Sequence, residues 1–463
     1  MSRNKKTGGR AARTTAVVAS LACAGSLMAV VYTSNAQATP ADGTSAGANR
    51  PSPEALLREE ISKAANALYD TAHRDPRTGY AGIVVAAQDG GYTLNWKGVV
   101  PQSVTRLIEA QRASGLTVSV KASRYTSREL NDRARAIAAS KATIGGAAIT
   151  SVGPNGDGNS LNITVAPRTA PGAAASLTAE SLRSVSAHLP ESLTGGIPVH
   201  LTERAAAVSI ASPPGRGNSA LQRNADAPPW IGGSVIRIGN GTCTSGFNVY
   251  DPNTQKNYML TAAHCGKVKD IVRNGESSAT LGTLVDEEEW LDSALVEYGA
   301  GGITHAALGR IYSGYGVARA GFEWRGVAAA RRSFIGEENI CTSGALMGEV
   351  CGGRIVNKDV LITPGGAPTA SVDEVWQIAK VAMAGSGDSG GPAYVRTLSG
   401  DVSPRGVLSA TAPDGGRHSC HNPLNFGTRP SCNSTVYITK ILDSMDEHVR
   451  NLNSVNALQI KTH

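Results

Sequence analysis

Two stretches of this 463-residue chain repeat one alternation of apolar and polar positions. The first predicts strands from Ala81 to Ala87 and from Tyr92 to Lys97 around the turn Gln88-Asp89-Gly90-Gly91. A helix from Gln102 to Arg112 follows, with Val104, Leu107 and Ile108 on one face, and then a strand from Thr117 to Ala122. The second predicts strands from Ala147 to Val152 and from Ser160 to Val165 around Pro154-Asn155-Gly156-Asp157-Gly158. Its helix runs from Ser176 to His188, with Leu182, Val185 and Leu189 inward, and its last strand from Ile197 to Leu201. Both are β-β-α-β units, offset by about 70 residues. Each buries one sheet face under one helix, so residues 39–225 are expected to form an α/β domain with two such repeats. Beyond them the pattern becomes a succession of short β-rich runs broken by Gly, Asn, Asp and Pro turns. Helical periodicity returns only from Ile438 to Leu452, with Ile441, Met445 and Val449 inward.

The N-terminus changes the picture by setting a compartment. Arg3, Lys5, Lys6, Arg10 and Arg13 precede an apolar stretch from Ala16 to Tyr32, and Ala36-Gln37-Ala38 is a small-x-small cleavage site. Residues 1–38 therefore read as a secretory signal peptide. The rivals are a membrane anchor and, through Cys23, a lipoprotein signal, although Ser20-Leu21-Ala22-Cys23 lacks the expected leucine. Losing this segment removes five positive charges, so the formal +7 (44 minus 37) falls to +2. The basic balance is then a targeting device, which gives no reason to invoke nucleic acid. No later segment has the length and apolarity of a membrane span. A secreted, extracellular, monomeric product that does not bind membrane after signal removal is expected.

Candidate chemistry sits in two motifs of the C-terminal half, Thr261-Ala262-Ala263-His264-Cys265 and Gly387-Asp388-Ser389-Gly390-Gly391-Pro392. A serine hydroxyl is a poor nucleophile unless an imidazole takes its proton and donors hold the resulting oxyanion. Gly387 and Gly390 leave the backbone free to bend around Ser389, so that the N–H groups of Gly387 and Ser389 can converge on one oxygen. His264 follows the apolar run Tyr258-Met259-Leu260. The third member would be a carboxylate between them: Asp292, at the start of the apolar strand Ser293-Ala294-Leu295-Val296, with Asp286 in reserve. Asp286-Glu287-Glu288-Glu289 is expected as a solvated turn, since four adjacent charges resist burial.

With these motifs, and with Cys243-Thr244-Ser245-Gly246 and Ile340-Cys341-Thr342-Ser343-Gly344 followed by Cys351-Gly352, the chain from about Ile231 to His463 resembles chymotrypsin-like serine proteases of the bacterial streptogrisin and alpha-lytic type. The resemblance implies a mature part, residues 226–463, that is all-β: two antiparallel six-stranded β-barrels with a C-terminal helix. It implies a triad of His264, Asp292 and Ser389 in the cleft between them, protein or peptide substrates, and no cofactor. Residues 39–225 would be a removable pro-region that assists folding and inhibits the enzyme; an accessory binding domain is the alternative. A secreted non-catalytic binding protein on a protease fold is the alternative for the whole.

The resemblance also bears on finer points. With Cys23 lost, the family pattern and short separations favour the pairs Cys243–Cys265, Cys341–Cys351 and Cys420–Cys432. Export favours disulfides over the rival zinc site at His418, Cys420, His421 and Cys432, and no metal is expected. His305 and His448 are taken as surface or packed residues. By family alignment the specificity pocket comprises Met383 to Ser386, Met383 and Ala384 foremost, with Ser409 and Thr411; its walls suit an apolar or small side chain. Relatives neutralise the carboxylate at the place of Asp388 with a freed Ile amino group or an arginine at the place of Thr342. Here Ile231, after a cut at Trp230, or Arg354 would have to serve.

Overall fold

The computed structural model describes residues 52–75, 77–144, 146–167, 190–210, 223–299, 307–314, 323–364, 369–413, 420, 432–452 and 457–463. The signal segment, the helix expected at 176–188, and His305, His418 and His421 lie outside them. Everything described belongs to one compact unit, Pro51–His463. It is mostly β with few helices and a C-terminal helix.

The N-terminal part opens with α1 (Pro53–Ala72), whose first turn is set by Ser52, its hydroxyl accepting from Ala55 N–H, and by a proline at the start. Strands β1 (Tyr80–Ala86) and β2 (Gly91–Trp96) form an antiparallel hairpin. α2 (Gln102–Ala113) leads to β3 (Thr117–Ala122), which pairs with β2 in parallel. Ile61, Ala65 and Leu68 of α1 share a core with Ile83, Leu94, Val104 and Ile108. α3 (Ser127–Ser140) begins with a capping box between Thr126 and Glu129. Strands β4 (Ala147–Pro154), β5 (Leu161–Val165) and β6 (Val199–Glu203) have the same senses as β1 to β3, antiparallel then parallel. Leu130, Ala134 and Ile137 of α3 pack on Val152, Leu161 and Ile163. The sequence pattern did not single out α1 and α3, although Ser52-Pro53 and the Thr126–Glu129 spacing were the signals for them.

The C-terminal part is built on two large sheets. The first, of eight strands, runs Gly241–Thr244, Val235–Ile238, Ile271–Asn274, β9, β10, β8, Asn248–Tyr250, Gln459–Ile460, where β8 is Asn257–Thr261, β9 Thr280–Glu288 and β10 Ser293–Tyr298. The second contains β11 (Glu338–Gly344), β12 (Gly348–Ile362), β13 (Ala370–Gln377), β14 (Pro392–Arg396), β15 (Val402–Ala412) and β16 (Thr435–Ile438), in the order β11-β14-β15-β16-β13-β12, and β11 also pairs with β12. Phe247, Leu260, Leu295, Tyr394 and Val407 fill the space between the sheets, joined by Ile441 and Met445 of α4 (Ile441–Asn451).

The two parts are continuous in hydrogen bonding. The end of β12 pairs with β4, Leu361 opposite Val152 and Ile362 opposite Ser151, so β4, β5 and β6 extend the second sheet. Asn162 Nδ2 donates to Asn357 Oδ1 at 3.0 Å, and Arg204 meets the buried Glu374 at 2.6 Å. Arg135 of α3 lies 5.3 Å from the ring centroid of Trp290. A long hairpin edge that would otherwise expose N–H and C=O groups is thereby covered.

Ile163 is fully buried under α3. Ile163→Ala should cost about 2–5 kcal/mol, because the surrounding sheet cannot collapse into the void. A fall in the urea midpoint of the full chain would register it.

Candidate active site

β8 ends at Thr261, and the next turn, Ala263–Cys265, projects His264. Its position is held by Cys265, joined to Cys243 of the strand Gly241–Thr244. Asp292 closes the turn Glu289–Leu291 with a left-handed φ of 47°, which an aspartate tolerates better than most residues, and β10 begins at the next position. Because β8 and β10 pair with Thr261 opposite Ala294, the two strand ends bring imidazole and carboxylate together.

The carboxylate of Asp292 grips His264 twice over. Its Oδ1 accepts from the His264 backbone N–H at 3.0 Å, and Nδ1 lies 3.0 Å from Oδ1 and 2.9 Å from Oδ2. Nε2 of His264 is 2.7 Å from Ser389 Oγ. Ser409, expected as a pocket wall, turns its hydroxyl to donate to Asp292 Oδ2 at 2.5 Å. With His264 and Asp292 nearly buried and Ser389 fully so, the relay is shielded from water.

Around Ser389 the backbone bends at Gly387 (φ 103°) and Gly390 (φ 83°). At Gly390 a Cβ would meet Thr261 Oγ1 at 2.1 Å, so a larger residue fits neither the conformation nor the space. The Gly387 N–H donates to the carbonyl of Ile210. Thr244 braces the turn, its hydroxyl donating to Gly387 O at 2.8 Å and its N–H to Ser389 O at 2.7 Å.

Asp388 is fully buried; in the uncut chain Ile231 has no free amino group to offer it, and Arg354 is turned to another carboxylate. Ile231 is within the chain, its N–H 3.5 Å from Asp226 Oδ2, and Arg354 faces Glu338 at 3.9 Å. Instead Oδ1 accepts from Leu346 N–H at 2.7 Å and Met347 N–H at 3.1 Å, and Oδ2 from Gly385 N–H at 2.8 Å. Burial pushes its carboxyl up to about 6, against the pull of these amides and of the Arg223 guanidinium. Arg223 was unforeseen. It is buried, donating to Gly233 O and Gly344 O at 3.0 Å and to Ser343 Oγ at 3.1 Å, while its own carbonyl accepts from Val235 N–H. Arg223 and Asn224 thus pack into the C-terminal part although the expected boundary lies after residue 225. Thr342 is also buried and donates to Met383 O at 2.9 Å.

The run Asp286–Glu289 departs from the expected solvated turn. Asp286 to Glu288 end β9 and pair with Ser293 to Leu295, because hydrogen-bond partners supplied by distant segments make their partial burial tolerable. Lys267 reaches Glu289 at 2.8 Å, and His448 of α4, fully buried, holds Asp286 Oδ2 at 2.7 Å through Nδ1. The other ring nitrogen is 2.9 Å from Ser293 Oγ, next to Asp292. No local pattern marks such a link across 155 residues.

Cys341 is joined to Cys351, tying β11 to β12, and Cys420 to Cys432, so none of these sulfurs is a free thiolate. Met383 and Ala384 line one apolar cluster with Leu408 and Ile210, and Thr411 Oγ1 accepts from Asn433 Nδ2 at 2.9 Å. A larger cavity of about 410 Å³, between α1 and the β11–β14 region, touches none of the relay residues.

Among solved structures, the chain is similar to Thermobifida fusca protease A and Cellulomonas bogoriensis chymotrypsin. Each is 21% identical, covered over 98% of its length by 50% of this chain, with TM-scores of 0.36 and 0.35. An alpha-lytic protease homolog is 19% identical over 47% of this chain and 96% of its own, with a TM-score of 0.32. No protein-family model and no curated protein matches the chain.

Asp226 is buried, accepting from Ser234 Oγ at 2.7 Å, and burial lifts its carboxyl to about 6. The folded state therefore holds a proton that the unfolded chain, near 3.9, has released, and stability from this group is lost as pH rises from about 4 through 6. Asp226→Asn, neutral throughout, should gain on the parent across that window by up to about 3 kcal/mol. Thermal melts of both chains between pH 4 and 7 check this.

Proposed function

We propose that the chain is the precursor of a secreted serine endopeptidase, with residues 1–38 as signal peptide, a pro-region following, and the remainder as the protease on the chymotrypsin plan, its two large sheets serving as the two barrels. The observation that carries the reading is the unbroken relay from Asp292 through His264 to Ser389, at 2.9 and 2.7 Å.

His264 Nε2 takes the proton of Ser389 Oγ as the oxygen attacks a peptide carbonyl. The negative charge reaches the carbonyl oxygen, where the N–H groups of Gly387 and Ser389 receive it. The imidazolium passes its proton to the departing amine, and water then hydrolyses the ester by the same relay in reverse. Asp292 stays ionised, fixing the tautomer in which Nδ1 carries the hydrogen. Ser409 supports it, since a carboxylate nearly cut off from water needs donors on its outer lone pairs.

The removable pro-region is supported by the strand pairing of β4 with β12. It would template the end of the β12–β13 hairpin by supplying a strand beside Leu361 and Ile362, whose other edge is paired with β13. Six cysteines in three disulfides are compatible with export, and among the described residues no helix is long and apolar enough to cross a membrane.

Ser389→Ala should abolish both peptide hydrolysis and labelling by a fluorophosphonate, while Asp292→Asn should retain labelling at a much reduced rate and lower kcat about 10⁴-fold. A parent chain that cuts nothing, and that takes no label even after the N-terminal part has been digested away, would move the protein to the non-catalytic binding-protein reading. Residues 211–463 refolded without residues 39–210 should yield far less active enzyme than when the segment is added in trans.

A further inference from the structure

Ser389 is fully buried, and the cavity beside His264 and Asp292 holds only about 40 Å³. For a site that must admit a polypeptide, this means that something already fills it. The occupant is the chain itself. β7 (Val208–Ser209) runs antiparallel to β15, Ser209 opposite Ala410 and Val208 opposite Thr411, and Ser209 lines the cavity with His264.

Ile210, the next residue, meets the site in two further ways. Its carbonyl oxygen accepts from Gly387 N–H, the donor proposed for the oxyanion. Its side chain is 1% exposed, in the apolar cluster that contains Met383, Ala384 and Leu408. A strand that merely covered a sheet edge would need backbone pairing alone. Here backbone pairing, a carbonyl on one particular amide and an anchored side chain coincide, which is the set of contacts by which an extended peptide is presented for cleavage.

We infer that the peptide bond following Ile210, to Ala211, is the one this protein cuts in itself, and that it prefers substrates with a β-branched aliphatic residue before the scissile bond. The inference rests on the serine endopeptidase reading above. Ser389 Oγ bonds to the Ile210 carbonyl carbon, its proton passing to His264. The C–N bond then breaks, the proton goes to the Ala211 nitrogen, and Ala211 leaves as a free amine. Water hydrolyses the ester, leaving Ile210 as a carboxylate and restoring the Ser389 hydroxyl.

The pocket accounts for the selectivity. Met383 is fully buried and packs with Ala384 and Leu408 in the same cluster as Ile210, so an aromatic ring there would have to displace closely packed neighbours. A lysine or aspartate in place of Ile210 would bring its charge among Met383, Ala384, Leu408 and Ile340, at the cost of its desolvation. The cut also places Arg223 and Asn224 on the product that carries Ser389. A cut after residue 225 would instead strip away Arg223, whose guanidinium ties Gly233 to the Ser343–Gly344 turn beside Asp388.

The test uses the full-length precursor, purified and left to process alone. N-terminal sequencing at the earliest time should find Ala211, at a rate independent of protein concentration, and Ser389→Ala should stay whole. Ile210→Val should process at a rate within about threefold of the parent, and Ile210→Asp at least a hundredfold more slowly. The matured enzyme should hydrolyse peptides with Ile or Val before the scissile bond at least tenfold faster than matched peptides with Phe or Lys. A labelled, active enzyme whose first new terminus is Asp226 or Ile231, or one that prefers Phe or Lys, overturns this inference and leaves the endopeptidase reading intact. A parent chain that cuts nothing, and that fluorophosphonate does not label even after the N-terminal part has been digested away, overturns the reading itself.

Discussion

One carboxylate holds the two halves of the C-terminal part in register. Asp292, at the head of β10 in the first sheet, receives the backbone and side chain of His264 on one side and the hydroxyl of Ser409, from β15 of the second sheet, on the other. Buried as it is, it cannot turn to water if either partner shifts, so the relative position of the sheets and the orientation of the imidazole are one constraint. The proposed chemistry depends on that coupling, because a reacting serine misplaced by about 1 Å loses orders of magnitude in rate.

Polar groups around this carboxylate are arranged to leave few donors or acceptors unpaired. Ser293, one residue along, is bonded to His448, which is bonded to Asp286, so the C-terminal helix is tied to the strand end that carries Asp292. Asp388, beside the proposed nucleophile, rests on three amides with the guanidinium of Arg223 in its field. Spreading its charge over amides costs less than leaving it bare, yet burial still favours the proton. Both networks use residues that the motifs do not contain.

The N-terminal part meets the C-terminal part through backbone as much as through side chains. β4 adds to the edge of β12, and β7 adds to β15 within the proposed substrate cleft. Strand addition of this kind depends little on side-chain identity away from the anchored positions, so a substrate-like tail can share its site with other polypeptides while the larger edge contact stays specific to this chain.

Much of the candidate site was legible in the sequence because its parts are local: a serine flanked by glycines that bend the backbone around it, a histidine after a buried strand, and an aspartate opening an apolar one. The strands and α2 of the N-terminal part followed from periodicity in the same way. α1 and α3 were passed over despite their capping signals, and the acidic run at Asp286 was misjudged because its compensating partners, Lys267 and His448, come from other elements. Periodicity tells which face of a strand is buried and nothing about which strand lies beside it. Hence only the tertiary structure could turn Ser409 toward Asp292, seat Arg223 beneath Gly344 and lay Ile210 across Gly387, since each of these contacts joins residues more than a hundred positions apart.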